Sequence, residues 1–334
     1  MSLSLQRKSV FVLSSAFALA GLGGFAHEAD ANASFMAVPS ALSHPSFASH
    51  WYDGQAEVTS YDVSVDRYQE RREGTAVLIF VTETTSNAKR VKVDKVTSGS
   101  ADQFPVMKLN FILDFPTGVY DYNVMQSTFV SLAAAAGVSV GAVTKATFSS
   151  QEWCGHVFEQ FVPRGGRVEH SVQSYFEDEE KKETTLEAPT GGVFGDALFH
   201  WSRGFTGPNV AAGEERVAKL LTTSMENRFR HKDPRWETAT FGVDARSKEV
   251  AWEGGKMRVH RKWVRPQSGG LAEFFVEEAF PHRLVRWTFS GGTLVAQDAR
   301  LVSAVRNKYW ALNGKDGVKA LTSLKLKARP PRTP

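Results

Sequence analysis

The chain reads as mainly β: curved antiparallel sheets or open half-barrels with a few short helices, in two strand-rich modules. Three observations predict this. Period-two alternation recurs, most cleanly over Val106 to Phe115, where Met107, Leu109, Phe111, Leu113 and Phe115 oppose Lys108, Asn110 and Asp114. Turn formers such as Asp53-Gly54, Pro266-Gln267-Ser268-Gly269-Gly270 and Ser290-Gly291-Gly292 punctuate the alternating runs. Few stretches suit a helix, and with one cysteine in 334 residues no intramolecular disulfide staples the fold, so burial of the 42% apolar content must stabilise it.

In chain order, Arg7 and Lys8, the apolar run Val10 to Phe25 and Ala31-Asn32-Ala33 make the layout of a signal peptide over 1–33, cleaved between Ala33 and Ser34. Gly21, Gly23 and Gly24 break that run below the ~20 apolar residues a membrane span needs, so no integral span is expected after cleavage. Residues 34–49 read as a flexible Ser/Ala/Pro-rich lead-in. The first module, 50–177, opens with His50-Trp51-Tyr52-Asp53-Gly54 and holds strands over Val58 to Arg67 and Thr75 to Thr82, with a polar turn at Arg71-Arg72-Glu73-Gly74. Lys89 to Lys95 also alternates. After the Val106 strand comes Tyr120 to Val130; Val130 to Val143 suits a small helix or packed loop; Thr144 to Val162 and Arg167 to Phe176 resume the alternation.

The charge run Glu177 to Glu183 and the breakers Ala188 to Gly192 make 178–194 a linker. The second module, 195–324, opens with a short helix over Gly195 to Phe205, capped at Asp196 and closed near Gly204 or Gly207. Strands follow over Glu215 to Thr223, Thr238 to Val243, Lys256 to Val264, Leu271 to Glu277, Leu284 to Phe289 and Thr293 to Val305, and a Pro/Arg tail, 325–334, is expected to be disordered.

Net charge is +4, unevenly spread. Residues 34–200 carry 13 Lys and Arg against 21 Asp and Glu, net −8, while 201–334 carry 25 against 13, net +12. The two halves should attract one another or different partners. No nucleic-acid motif accompanies the basic half, so nucleic acid is not an expected partner.

The densest chemistry is Ser150-Gln151-Glu152-Trp153-Cys154-Gly155-His156-Val157-Phe158. Read as one continuous strand, it puts Glu152, Cys154, His156 and Phe158 on one face, where an imidazole can help make a thiolate of Cys154. Residues two apart lie ~7 Å apart along a strand, long for a direct bond, and free cysteines are commonly buried packing residues. No catalytic residue is therefore assigned; Cys154, His156 and Glu152 stand as candidates. Glu152 and His156 with a remote His50, His170 or His200 match no metal-ligand spacing, so no metal or other cofactor is expected. Trp51, Tyr52, Tyr120, Tyr122, Trp153 and Phe158 are the candidate lining of a site for lipid or another apolar ligand, against the competing reading that aromatics on strands pack in the core. No phosphate loop, G-x-S-x-G elbow, kinase set or paired-cysteine motif occurs in the sequence, so an enzyme finds no motif to support it.

Several stretches carry a resemblance: HWYDGQAEVTSYDV (50–63), RYQERREGTAVLIFVTE (67–83), VMKLNFILDFPTGVYDYNVM (106–125), FSSQEWCGH (148–156), PHRLVRWTF (281–289) and RNKYW (306–310). Through them the chain resembles a family of uncharacterised exported bacterial envelope proteins, many of them lipoproteins. The resemblance implies export and no assigned activity, cofactor or catalytic residue. This sequence departs from the lipoprotein members in having no cysteine after the signal, which implies a free periplasmic or secreted protein. The second module is more faintly similar to the half-barrels of periplasmic lipoprotein carriers, where a sheet wraps a helix. The expectation is a non-enzymatic protein binding an apolar or amphipathic ligand, or an envelope partner, on a curved sheet. Its rivals are a thiol enzyme using Cys154 with His156 and a structural envelope interaction protein.

Overall fold

Strand β1 (Ala56–Arg67) pairs on one side with β2 (Glu70–Ser86) and on the other with β16 (Gln297–Asn307), which joins the two ends of the chain. The computed structural model describes residues 38–326 apart from 136 and 178. The expected signal segment, its cleavage point and the tail from 327 onward lie outside the described residues.

From β1 one meander runs outward through β2, β3 (Gln103–Thr117), β4 (Tyr120–Ser131), β5 (Val143–Glu152), β6 (Gly155–Arg164), β7 (Arg167–Ser174) and β8 (Lys182–Glu187). From β16 the other runs through β15 (Leu284–Ser290), β14 (Leu271–Glu277), β13 (Gly255–Pro266), β11 (Trp236–Val243) and β10 (Glu215–Leu221) to the two-residue β9 (Val193–Phe194). A short β12 (Lys248–Trp252) hangs on β13. Neighbours are antiparallel except β9 and β10, which run parallel. Among the described residues β8 and β9 do not pair, so the sheet stays open. The mainly β, open-sheet expectation holds, with the strands of both stretches in a single sheet.

Local chemistry moved several boundaries. The β1–β2 turn is Tyr68-Gln69, both at positive φ (55° and 63°), as a two-residue hairpin turn matching the strand twist requires. Neither residue advertises that conformation, which is why the Gly-containing 71–74 looked like the turn. Those four residues lie inside β2, where Gly74 allows β3 to come close: a Cβ there would sit 2.3 Å from the Asp114 carbonyl oxygen. Lys89 to Lys95 forms no strand and contributes only an isolated bridge, Thr85 to Lys92. The 178–194 stretch carries β8 and β9. The lead-in is not loose from residue 38 onward: a 3-10 turn (Ser40–Ser43) and helix α1 (Phe47–Trp51) bury Ala41, Phe47 and Trp51.

The curled sheet is filled by the chain itself. A 3-10 turn (Gly195–Ala197) and helix α2 (Leu198–Ser202) form a plug whose residues are all buried. Phe199 packs against Phe111 of β3, Phe274 of β14 and Trp287 of β15; Trp201 meets Phe241 of β11; Phe205 meets Trp51 and Phe80. Strands from both meanders thus close on one peptide. Burying each such ring contributes about 1.5–3 kcal/mol, and the plug gathers several. Gly204, at φ 79°, ends the plug.

Charge complementarity follows the same geometry. Acidic residues of the first half meet basic residues of the second in Glu57–Arg203, Asp53–Arg306 and Glu179–Arg228. Leu324, just after the short helix α4 (Ala320–Ser323), packs in a separate cluster with Ala56, Val58, Ile79 and Val81. No helix among the described residues is long and apolar enough to cross a membrane.

Candidate functional site

The stretch that looked most like chemistry is a hairpin. β5 ends at Glu152, β6 begins at Gly155, and Trp153-Cys154 is the two-residue loop between them. The single-strand, one-face reading of Glu152, Cys154 and His156 is corrected: the chain reverses between them, and His156 lies across the ladder from Gln151. Cys154 is exposed, which also corrects its reading as a buried packing residue. The Glu152 carboxylate accepts the Cys154 N–H at 3.3 Å and, through its hydrogen bond and charge, pushes the thiol pKa up, against thiolate formation.

The aromatic candidates divide. Trp51 and Tyr122 are buried core residues, Trp51 under Phe80 and Phe205 and Tyr122 stacked on Phe115. Tyr52, Trp153 and Phe158 are exposed. Tyr120 joins two groups, with ring centroids 6.1 Å from Tyr122 and 6.3 Å from Trp153. These six do not converge on one cavity. Of the histidines weighed as remote ligands, His200 sits in the plug with Nε2 on the Met107 carbonyl (3.2 Å), His50 contacts Arg306, and His170 lies on β7, beside the edge strand β8. Among the described residues no group of three or more His, Cys, Asp or Glu is arranged to hold a metal ion.

Inside the curl little room remains. A cavity between Phe111, Leu198, Phe199, Met225, Phe289 and Val295 has about 30 Å³, the space of a water or two.

Room appears where the sheet fails to close. There Phe161 and Val168 of β6 and β7 pack against Phe194 and Leu221 of β9 and β10, with Leu186, Ala188 and Trp236 filling in, so side chains bridge one part of the seam. Beyond them helix α3 (Ser224–Arg230) and the turn 231–234 stand over β6 and β7. The space between is a cleft of about 400 Å³, within the range of small-ligand sites.

Each wall is fixed by its own bonds. Glu159 on β6 and His170 on β7 are both buried, with Oε1 to Nε2 at 2.8 Å. A carboxylate only accepts, so Nε2 carries the hydrogen, and Nδ1 lies 2.9 Å from the Thr184 hydroxyl of β8. Phe161 stacks on the imidazole, its centroid 4.6 Å away. Opposite, Thr223 caps α3 by accepting the Glu226 N–H at 3.0 Å, and His231 closes the helix in the left-handed region, φ 52°. Arg228 donates from Nη1 to both Glu179 oxygens (2.9 and 2.8 Å) and lies 4.2 Å over the Phe176 ring. His231 Nδ1 reaches Glu179 Oε1 at 2.6 Å.

One group in the cleft has no such partner. Asn227 is 3% exposed, and neither Oδ1 nor Nδ2 of its side chain has a hydrogen-bond partner among the described residues. A buried amide left bare costs roughly 1–3 kcal/mol per group, and buried polar groups are nearly always satisfied. The cleft is thus lined by a buried donor and acceptor that no other described residue satisfies, with Lys182 and Lys232 of one sign and Glu177 and Asp233 of the other. Sequence reading passed over Asn227 because the stretch between the strands expected over Glu215 to Thr223 and Thr238 to Val243, which holds α3, was given no element. The signal was there: Thr223-Ser224-Met225-Glu226 is a capping box.

Fold and site together define a mainly β protein, an open sheet curled around its own plug, with a polar cleft at the open seam. No family model matches the chain, and no curated protein matches its sequence. Among solved structures it is similar to the crystal structure of a beta-barrel-like protein of domain of unknown function DUF1849 from Brucella abortus, at 12% sequence identity and a TM-score of 0.43, over 75% of this chain and 97% of that one.

Proposed function

We propose that the chain is an exported, non-enzymatic binding protein of the cell envelope, periplasmic or secreted, that holds its ligand in the seam cleft. The observation that carries this is Asn227, a buried amide with both polar atoms unpartnered in a cleft of about 400 Å³. Export rests on the charged, apolar and small-residue layout of 1–33. The lipid-carrier form of the reading loses its cavity, because the apolar interior is occupied by Phe199, Trp201 and Phe205. A polar or amphipathic ligand fits the seam better than an acyl chain. The test is native mass spectrometry of the protein purified from its own host, beside the Asn227→Leu variant. A mass adduct on the wild type that the variant lacks supports the reading; an adduct-free wild type, with no thermal shift across a library of polar metabolites, overturns it.

A second reading, contact with an envelope partner, is favoured by the aromatic tips. Trp153 is 67% and Tyr175 73% exposed. They follow β5 and β7, and alternate connections of an antiparallel meander fall at one end of the sheet. Exposed Trp and Tyr mark contact surfaces. Cross-linking in host envelopes that is unchanged by Trp153→Ala with Tyr175→Ala would remove this reading.

A further inference from the structure

We propose that the ligand of the seam cleft is an extended peptide segment, which lies along the free edge of β8 and is read through its backbone by Asn227. The inference deepens the cleft reading above and rests on it.

Three observations select a peptide. The first is the amide. Nδ2 donates and Oδ1 accepts from one rigid plane, the complement of the C=O and N–H that an extended backbone presents. The second is the edge. Among the described residues β8 pairs only with β7, through Arg167–Glu187 to Val172–Lys182. Its other side carries backbone donors and acceptors that a strand can extend, the mode of recognition by strand addition. Its first residue, Lys182, lines the cleft, so edge and amide border one space.

The third is the chemistry of the lining. Val157 and Val172 floor the cleft with small apolar surface, while Glu177, Lys182, Lys232 and Asp233 place both signs around it. That mixture suits a chain of alternating side chains. A sugar or nucleobase would call for an aromatic platform, and among the described residues no Phe, Tyr or Trp lines the cleft; Phe176 nearby is covered by the Arg228 guanidinium. An acyl chain would leave Asn227 bare and bury carboxylates against methylenes.

The seam is also suited to hold a strand in place. Where Leu186 and Ala188 pack against Phe194 and Trp236 the two sheet ends are already bridged, which sets a stop to the groove. Beyond it the walls are held by Glu159–His170–Thr184 on one side and Glu179–Arg228 on the other. A segment of a few residues, at ~3.3 Å each, fits between stop and mouth.

The test uses the mature protein and a mixed-sequence library of tetrapeptides blocked at both ends, read by affinity selection and then fluorescence anisotropy of the labelled hits. Wild type should retain peptides, Asn227→Leu should bind them at least tenfold more weakly, and hits N-methylated at alternate residues should weaken similarly, because methylation removes the N–H groups that ladder with β8. Should Asn227→Leu not fold, Asn227→Asp, which keeps the volume and removes the donor, reads the same loss. Peptides bound with no effect of either the Asn227 variants or N-methylation overturn the peptide assignment. Selective retention of saccharides from a parallel panel, lost in the variant, overturns the peptide class and leaves the cleft reading standing. Retention of neither class overturns the peptide assignment, and the cleft reading falls with it only where the wild type also carries no adduct in native mass spectrometry.

Discussion

Arg203, at the end of the plug, reaches Glu57 at the start of β1 through two bonds, Nη1 to Oε1 at 2.6 Å and Nη2 to Oε2 at 3.2 Å, with both side chains almost wholly buried. The guanidinium lies 4.4 Å over the Phe80 ring and 5.3 Å from that of Trp51, and it also donates to the Pro281 carbonyl. The pair thus ties the plug to the strand that joins the two meanders.

Breaking that pair from one side should be costly. Glu57→Gln leaves a buried cation with a neutral partner and should lower the unfolding free energy by about 3–5 kcal/mol, read from urea melts. Glu57→Leu combined with Arg203→Met removes both charges and should cost clearly less than the sum of the two single changes. Additive losses would mean that the pair does not act as a unit.

Two buried groups of the plug set opposite pH dependences. Burial raises the Asp196 carboxyl to about 7, although Ser224 donates to it from N (2.9 Å) and Oγ (2.5 Å); burial lowers the His200 imidazole to about 3. For Asp196 the folded value lies above the unfolded one, near 3.9, so its contribution is full below pH 4 and lost as pH rises through 7. For His200 the folded value lies below the unfolded one, near 6.5, so its contribution is present above pH 6.5 and lost as pH falls toward 3. Each is on the order of 4 kcal/mol over its window, and between pH 4 and 6.5 they oppose. Urea midpoints at pH 4, 5, 6 and 7 should rise more steeply with pH in Asp196→Asn than in wild type and fall with pH in His200→Gln. Parallel profiles in all three proteins would refute the assignment.

Gly204 allows residues 38–41 to dock on the plug. Its φ is 79°, and a Cβ there would meet Ser40 Oγ at 2.4 Å and the Ala41 nitrogen at 3.2 Å, while Ala41 N–H donates to the Gly204 carbonyl at 3.0 Å. Gly204→Ala should cost about 1–2 kcal/mol from the left-handed conformation alone, with further loss from the clash. Thermal melts of Gly204→Ala with and without Ser40→Gly separate the terms: the second change should recover the steric part only.

Cys154 should behave as an exposed, unactivated thiol. Iodoacetamide should label the folded protein fully, with a rate that climbs with pH, and Glu152→Gln should react a few-fold faster near pH 8 by removing the charge that opposes the thiolate. Labelling faster than a free cysteine peptide at pH 7 would restore the thiol-enzyme reading.

The sequence by itself determined most of the strands and the class. Alternation at Val106 to Phe115 required one buried face, and Gly195 to Phe205 stood out as a helix among strands. Local periodicity reports such things because side-chain direction alternates within a strand, whatever it pairs with. It could not report partners. Nothing near Val58 says that it lies opposite Val305, nothing near Phe199 says that strands of both meanders will close on it, and Asp196, expected to cap its own helix, instead binds Ser224 at the start of another. The site was hidden for the same reason. Glu152, Cys154 and His156 are close in sequence yet separated by a turn, whereas Glu159, Glu179, Lys182 and Asn227 are brought to one cleft only because the sheet curls and its ends stop short of pairing. Which face is core is a local property of the chain; which residues share a cleft is decided by how the sheet's two free edges meet.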